Sequence, residues 1–409
     1  MRVAVIGAGA VGVSSAEWLR RDGAEVVLID PAGPAGETSS GNAGLIAAPV
    51  SGPTQYPGIE WEALRSLAFG KSFRLDWARL PQLSPWLWAF WRNSGRERVR
   101  ALTGALSTIQ ADAVEQHRTL AAGTPAERYI GDCEWWRLER GDRPTEDDGL
   151  RTKRANGFPL RAVSTAELRE TDPHLNPAYR CATAMGGYGR ISDPAAYVQA
   201  LASYFEGQGG RILRAAAREI RQTEAGVEVV CDGETVAADR LVIAAGAWTE
   251  RFARQLGLRS MIIAERGYHV ECWAPSRTPP DGLVYLTADS YHCAHGMIGR
   301  LRVTSISEPA GVDSKPNKGA QAYLRKGPKL FYPDLEQERV TEWMGRRPAT
   351  PDSLPLLGAA PGAPRVFFAA GHQHLGLTMG PKAGRLIADL VAGRRPNIDL
   401  APFAVDRFS

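Results

Sequence analysis

The feature that most constrains this chain lies at its start. Val3-Ala4-Val5-Ile6, an apolar and mostly β-branched run, opens straight into Gly7-Ala8-Gly9-Ala10-Val11-Gly12. Val11, Ser15, Trp18 and Leu19 then recur at helical spacing, and a second apolar run, Val26-Val27-Leu28-Ile29, ends in Asp30. A strand, a Gly-x-Gly-x-x-Gly turn, a helix and a second strand closed by an acid make a unit suited to a dinucleotide. Gly7 allows the tight turn, Gly9 lets backbone approach a pyrophosphate, and Gly12 lets the helix lie close on the strand. The helix N-terminus offers free N–H groups and a partial positive charge to the phosphates. Asp30, eighteen residues beyond Gly12, stands where a carboxylate accepts bonds from ribose hydroxyls.

A chain of 409 residues is long enough for two or three folding units around such a turn. Its 44% apolar and 23% charged residues describe an ordinary globular protein. The net charge of +4 is small and dispersed, which argues against a nucleic-acid partner. The five cysteines, Cys133, Cys181, Cys231, Cys272 and Cys293, are scattered and odd in number. That fits a reducing cytoplasm rather than a disulfide scaffold or zinc site. Because the first strand begins at Arg2 or Val3, no signal peptide is expected, and no run is long and apolar enough for a transmembrane helix.

Past Asp30 and Pro31, small and hydroxyl residues crowd Thr38, Ser39, Ser40, Gly41, Asn42, Ala43 and Gly44 before Leu45-Ile46. This composition suits a binding loop. Residues 61–98 carry Trp61, Trp77, Trp86, Trp88 and Trp91 with interleaved arginines. Two readings stand: the core of a helical cap, which the usual burial of aromatics favours, or an interfacial membrane patch. A helical pattern follows from Ala101 to about Ala122, and Ser164 or Thr165 caps a short helix. Ser192-Asp193-Pro194 starts another helix. Arg211 to Ala217 reads as a strand. The buried run Leu241-Val242-Ile243 ends in Ala244-Ala245-Gly246-Ala247-Trp248, where small residues permit close approach at the carboxyl end of a sheet. From 256 to 334 strand-like runs dominate and suggest a separate, mostly antiparallel sheet. Near the C-terminus come Gly345-Arg346-Arg347-Pro348, a strand at Val366–Ala370, the turn Gly371-His372-Gln373-His374-Leu375-Gly376-Leu377-Thr378, and a helix from about Pro381 to Ala392.

With these stations placed, the chain resembles the D-amino-acid oxidase-like FAD-dependent oxidoreductases. It looks most similar to bacterial D-amino-acid dehydrogenases, including enzymes that take D-hydroxyproline. The resemblance implies an α/β fold, α+β overall. A Rossmann-like FAD-binding domain would comprise residues 1–60, 185–255 and 335–409. Residues 61–184 and 256–334 would form a substrate domain with a mostly antiparallel sheet and a helical cap. It further implies that Gly7, Gly9, Ala10, Val11 and Gly12 hold the pyrophosphate and Asp30, followed by Pro31, the ribose. Ser39, Ser40, Asn42, Ala43, Gly44 and Ile46 would line the flavin end, and Ala217 would meet the adenine through its backbone. Ala245, Gly246, Trp248 and Gly345 would flank the cofactor. Gly371, His372, Leu375, Gly376, Leu377 and Thr378 would set backbone amides and a helix N-terminus at the flavin pyrimidine ring, favouring the anionic reduced flavin.

Arg347 corresponds to the arginine that grips the substrate carboxylate. His374 would face the substrate, with Tyr268 and Tyr291 as further candidates on the pocket wall. The family subgroup often has Gly-Thr where this chain has Ser305-Ile306. His292 and His295 make an H-x-x-H pair, yet no acid or cysteine stands at a spacing that would complete a metal site. The implied chemistry is hydride transfer from the α-carbon of a D-amino or cyclic imino acid to flavin N5, with electrons passed to a quinone or other carrier. Peripheral contact with the inner face of the cell membrane is compatible with the tryptophan segment. Two rivals remain: a glycine- or sarcosine-type oxidase using O2, and a non-catalytic flavoprotein or NAD-binding scaffold.

Overall fold

The computed structural model describes residues 1–47, 52–59, 73–155 and 157–409; Trp61 lies outside them. Arg2–Ile6 is a central strand of a six-stranded sheet. It runs parallel to Glu25–Ile29 on one side and to Arg240–Ile243 on the other. Arg211–Leu213 extends the sheet beyond Glu25–Ile29, and Ala363–Ala370 extends it beyond Arg240–Ile243. Leu356–Ala360 closes one edge in the antiparallel sense. Both faces are covered, which is why these strands read as nearly continuous apolar runs. Val3, Val5, Val26 and Leu28 belong to a core shared with the helices Ala10–Arg21 and Gly376–Val391. Ala4, Ile6, Val27 and Ile29, which point the other way, pack under a small antiparallel sheet of Ala217–Gln222, Val227–Cys231 and Thr235–Ala238. The expected strand Arg211 to Ala217 is therefore two strands serving two sheets.

The second large sheet has nine strands. In order they are Arg339–Ala349, Ile263–Trp273, Arg300–Ala310, Cys293–Met297, Leu283–Thr287, Ile130–Glu139, Cys181–Ile191 and Leu45–Ile46, with Leu160–Val163 also pairing onto Cys181–Ile191. Every pairing is antiparallel except Leu283–Thr287 with Ile130–Glu139. Sheet membership departs from the sequence division at three places. Arg339–Ala349 pairs along its whole length with Ile263–Trp273, from Ile263 opposite Ala349 to Trp273 opposite Arg339. It thus joins the antiparallel sheet, although a boundary at 335 assigns it to the nucleotide domain. Leu45–Ile46 joins that sheet as well, and Cys181–Ile191 runs through the division at 184/185. Backbone pairing over long sequence separations decides these memberships, and no local pattern carries it.

The helical cap comprises Leu80–Arg92, Arg96–Gln110 and Ala113–Ala121, so the long pattern ending near Ala122 breaks at Ala111–Asp112. Leu80–Arg92 is two-sided. Leu83 and Trp86 are buried, and the Trp86 indole N–H donates to the Ala349 carbonyl at 3.0 Å. Trp77, Trp88 and Trp91 are 64%, 60% and 51% exposed. The described part of the tryptophan segment is therefore both cap core and exposed aromatic surface, with Trp91 also lining a cavity. The two helix starts are capped as the sequence implies: Ser164 accepts from the Glu167 N–H, and Asp193, followed by Pro194, accepts from the Ala196 N–H. Among the described residues no helix is long and apolar enough to cross a membrane.

Candidate active site

The glycine turn is built as its motif requires. Gly7 has φ of +105°, and a Cβ there would stand 2.3 Å from the Ala244 carbonyl oxygen. A Cβ on Gly12 would stand 1.8 Å from the Gly7 oxygen. Neither position admits a side chain. Asp30 is held by backbone N–H groups: Ala8 donates to Oδ2 at 2.8 Å, and Ala32 and Gly33 donate to Oδ1 at 2.8 and 3.1 Å. The carboxylate thus ties the turn to the end of the second strand. The helix Ala10–Arg21 starts at Gly9 without a capping side chain of its own. Ser39, from the small-residue loop, reaches over to accept the Ala10 N–H at 2.9 Å.

A cavity of about 1530 Å³ opens from this turn across the face of the antiparallel sheet. Ordinary ligand pockets hold roughly 300–1,000 Å³, so this one has room for a large cofactor and a small substrate together. Gly9, Ala10, Val11, Ser39, Asn42 and Ala43 line one end; Gly246, Gly345, His372, Leu375, Gly376 and Leu377 also line it. The candidates Arg347, His374, Tyr268 and Tyr291 all lie on its wall. The structure thus brings together stations far apart in sequence. The group implied is FAD, and the wall fits it: the His372 Nε2 is buried without a hydrogen-bond partner, and the helix Gly376–Val391 starts without a capping side chain where Leu375, Gly376 and Leu377 line the same space.

Other expected contacts serve the frame around the cavity. Gly7, Gly12 and Asp30 shape the turn as described, and Pro31 is exposed beside it. The Ser40 hydroxyl donates to the Glu37 carbonyl. Gly44 has φ of +73° against the Ile191 carbonyl, and Ile46 is fully buried in the sheet. Ala245 sits between the buried strand end and Gly246. Trp248 lies 5.7 Å from the Arg346 guanidinium. Gly371 turns with φ of +77°. The Thr378 hydroxyl accepts from the Ala47 N–H at 3.0 Å and donates to the Leu45 carbonyl at 3.3 Å, so it pins the strand that follows the small-residue loop. The Ala217 carbonyl accepts from the Arg251 guanidinium, an occupation that the expected adenine contact did not foresee.

Arg347 is positioned by three features of the sheet. Glu265 lies directly opposite it on the neighbouring strand and accepts from its Nη1 at 3.0 Å. The Ile306 carbonyl accepts from the same nitrogen at 3.3 Å. Ile306 has φ of +72°, an outlying conformation for a β-branched residue. It sits where the pairing of Ile263–Trp273 with Arg300–Ala310 slips between Arg266 and Tyr268. Such a bulge re-aims backbone groups, and here it turns a carbonyl onto Arg347. Gly267 leaves the guanidinium its space, since a Cβ there would stand 2.3 Å from Cζ. His374 is open to the cavity but walled by protein. Burial, with help from the Arg347 charge, pulls its imidazole down to about 4, so it is neutral at pH 7. Burial alone takes His372 to about 3. The Tyr268 phenol donates to Glu308 at 2.6 Å and accepts from the Asn317 N–H; burial and Glu308 hold it protonated. Tyr268 therefore presents ring rather than hydroxyl chemistry to the cavity. Tyr291 is 54% exposed at the cavity mouth.

Several contributors escaped the sequence reading. Three consecutive carbonyls of the small-residue loop are held from the sheet below: His269 Nδ1–H donates to Gly41 at 3.1 Å, Arg302 to Asn42, and His295 Nδ1–H to Ala43 at 2.9 Å. Facing carbonyl oxygens fixes the Nδ1–H tautomer for both histidines. His295 of the H-x-x-H pair is thus a brace for the loop, and His292 bonds Ser290. The last helix starts at Gly376, earlier than the expected Pro381. Pro381 has no N–H to give the Leu377 carbonyl. His117 Nε2–H supplies that bond at 2.9 Å, and its Nδ1 accepts from the Tyr197 hydroxyl at 2.8 Å. Gln373, at φ of +53°, bonds Thr350 twice. Glu265 had a signal: an acid within a strand otherwise buried on both faces needs a partner.

A parallel sheet with a dinucleotide-type glycine turn, joined to an antiparallel sheet by a cavity that runs from that turn to a charged wall, defines a nucleotide-cofactor oxidoreductase. The family model described as FAD dependent oxidoreductase matches residues 2–390, and the chain belongs to that family. Among curated relatives, a D-amino-acid oxidase of Bradyrhizobium diazoefficiens is 34% identical over 99% of this chain and 98% of its own. A D-amino acid dehydrogenase of Rhizorhabdus wittichii is 29% identical over the full length of both. Among solved structures, glycine oxidase from Geobacillus kaustophilus superposes with a TM-score of 0.74 at 26% identity, covering 100% of this chain and 99% of that one. The protein is an FAD-dependent oxidoreductase of this fold.

Proposed function

We propose that the protein oxidises D-amino acids or cyclic imino acids of the D-proline or D-hydroxyproline type, passing electrons to a quinone or other carrier. The observation that carries this reading is Arg347, a guanidinium set by Glu265 and the Ile306 carbonyl on the cavity wall beside His374. The names of the full-length relatives support the substrate class. When bound, FAD supplies the acceptor for the α-hydrogen, which leaves as hydride. The chain's own work is to bind, orient and enclose. Gly9 to Val11 and the Ser39–Ala43 loop would hold the cofactor, with His372 to Leu377 at its polar edge. Arg347 would take the substrate carboxylate through charge-assisted hydrogen bonds. His374, neutral at pH 7, is able to hydrogen-bond the amine. A primary amine would yield an imine that water hydrolyses to a 2-oxo acid and ammonia, whereas a cyclic substrate would stop at the imine.

The experiment is anaerobic bleaching of the yellow enzyme across D- and L-amino and imino acids. Bleaching by D-proline or D-alanine is the expected result; no bleaching by any of them removes the reading. An oxygen-using oxidase is the second reading, supported by the Bradyrhizobium relative's name and the glycine oxidase fold. Stoichiometric hydrogen peroxide during turnover selects it, and dye reduction without peroxide selects the dehydrogenase. Peripheral membrane contact through the exposed tryptophans would bring the enzyme to a quinone.

A further inference from the structure

The acid beside Arg347 is unexpected in a site meant only for a carboxylate. Glu265 neutralises the arginine across the strand pair and so weakens its pull on a simple anion. Its carboxylate is buried and lines the cavity. Among the described residues on the cavity wall, the acids are Glu265 and Asp147. Asp147 is committed elsewhere, to Arg137 and to the start of a helix. At the Arg347 end, the cavity therefore presents one positive and one negative group side by side. Arg347 Nη1 and Glu265 Oε1 stand 3.0 Å apart, close enough for one small ligand carrying both charges on adjacent groups to meet them together.

We infer that Glu265 is a specificity-determining residue that receives the substrate's ammonium group while Arg347 receives its carboxylate. The pair is then complementary to a zwitterion. A hydroxy acid or a plain carboxylate, with no positive end, meets Glu265 as a like charge and is disfavoured. The opposing strands put the two side chains in register. The Ile306 carbonyl gives Arg347 a second anchor, so the guanidinium keeps a support when Glu265 turns to the ammonium. This inference rests on the amino-acid reading of the site and names the group that enforces it.

The test uses two ligands of one shape that need no turnover. 2-Aminoisobutyrate is a zwitterion without an α-hydrogen, and pivalate carries a methyl where it carries the ammonium. Each is titrated into the oxidised FAD-loaded enzyme by the change in flavin absorbance. In the unsubstituted enzyme the zwitterion should bind about tenfold tighter than pivalate. In Glu265→Gln the zwitterion should weaken by about tenfold and pivalate should tighten. Both ligands weakening would make Glu265 a mere support for Arg347 and overturn the inference. Both tightening would make it a mere competitor, and no change in either would also overturn it. If Glu265→Gln fails to hold FAD, the comparison in the unsubstituted enzyme decides alone: pivalate binding as tightly as the zwitterion sinks the proposal. Glu265→Asp should keep part of the preference. The bleaching panel reads the proposed function separately, since opposite shifts of these two ligands can be measured whether or not any amino acid is oxidised.

Discussion

At the scale of single residues, the site is a set of positions that admit few replacements. Arg347→Ala should raise KM about ten- to hundredfold, from loss of charge-assisted bonds worth about 1.5–3 kcal/mol. FAD should stay bound, because Arg347 takes no part in the phosphate turn; unchanged KM would remove it from the substrate pocket. Gly267→Ala attacks the same group from behind. Its Cβ would meet Arg347 Cζ at 2.3 Å, so the guanidinium must move, and KM should rise with the flavin spectrum unaltered. Steady-state kinetics beside a flavin titration checks both. That Arg347 lies on the cavity wall could be expected from sequence, because Gly345-x-Arg347-Pro348 is a local pattern. Glu265 was not, because its meaning depends on a partner 82 residues away and on a strand register that places them opposite. Ile306 was legible only as a departure from the family's Gly-Thr. Its left-handed φ and inward carbonyl belong to a bulge that depends on the neighbouring strand.

At the scale of elements, the last helix shows how sequence punctuation misleads. Proline favours the first turn of a helix, so Pro381 marks a plausible start, yet the helix runs from Gly376 through it. The cost is an unpaired Leu377 carbonyl, which His117 satisfies from another helix. His117→Phe should therefore cost about 1–3 kcal/mol, the penalty of a buried acceptor left bare. It should also weaken FAD binding, because Leu377 lines the cavity. Tyr197→Phe, which removes only the bond to Nδ1, should cost less; equal losses in thermal denaturation would refute this account. The tryptophan helix makes the opposite case. Its composition was legible, but its two faces were not separable without the cap beneath it. Trp88→Ser with Trp91→Ser should leave stability within about 0.5 kcal/mol, as exposed sites do, and should abolish co-sedimentation with anionic vesicles at low salt. An unsubstituted protein that stays in the supernatant would remove the membrane reading.

At the scale of the whole molecule, the nucleotide half could be read from the sequence because its strands and turns are short-range patterns. The exchange of Arg339–Ala349 into the antiparallel sheet could not, because sheet membership is a long-range choice. The same interlocking of sheets buries most of the molecule's histidines, and this has a consequence for acid stability. Of the seven histidines, six are lowered: the buried His117, His292 and His295 to about 4 and His269 and His372 to about 3, and His374, which opens on the cavity beside the Arg347 charge, to about 4. Two of them brace the small-residue loop at Gly41 and Ala43, and His117 completes the last helix. In the unfolded chain each titrates near 6.5. Between that value and about 4, the unfolded state binds more protons than the folded one, so stability must fall as pH falls. Each histidine contributes up to about 1.4 kcal/mol per pH unit in that window. Several acting together can exhaust a net stability of about 5–15 kcal/mol within a unit or two. With FAD saturating, the unfolding temperature should be nearly flat above pH 7.5 and should drop steeply below about pH 6. His117→Phe, though destabilised throughout, should show a shallower drop, having one fewer proton to take up on unfolding. A melting series from pH 8 to 5 checks both slopes. An unfolding temperature constant down to pH 5 would mean that these histidines are charged in the folded protein, and the tautomers assigned to the brace would then be wrong.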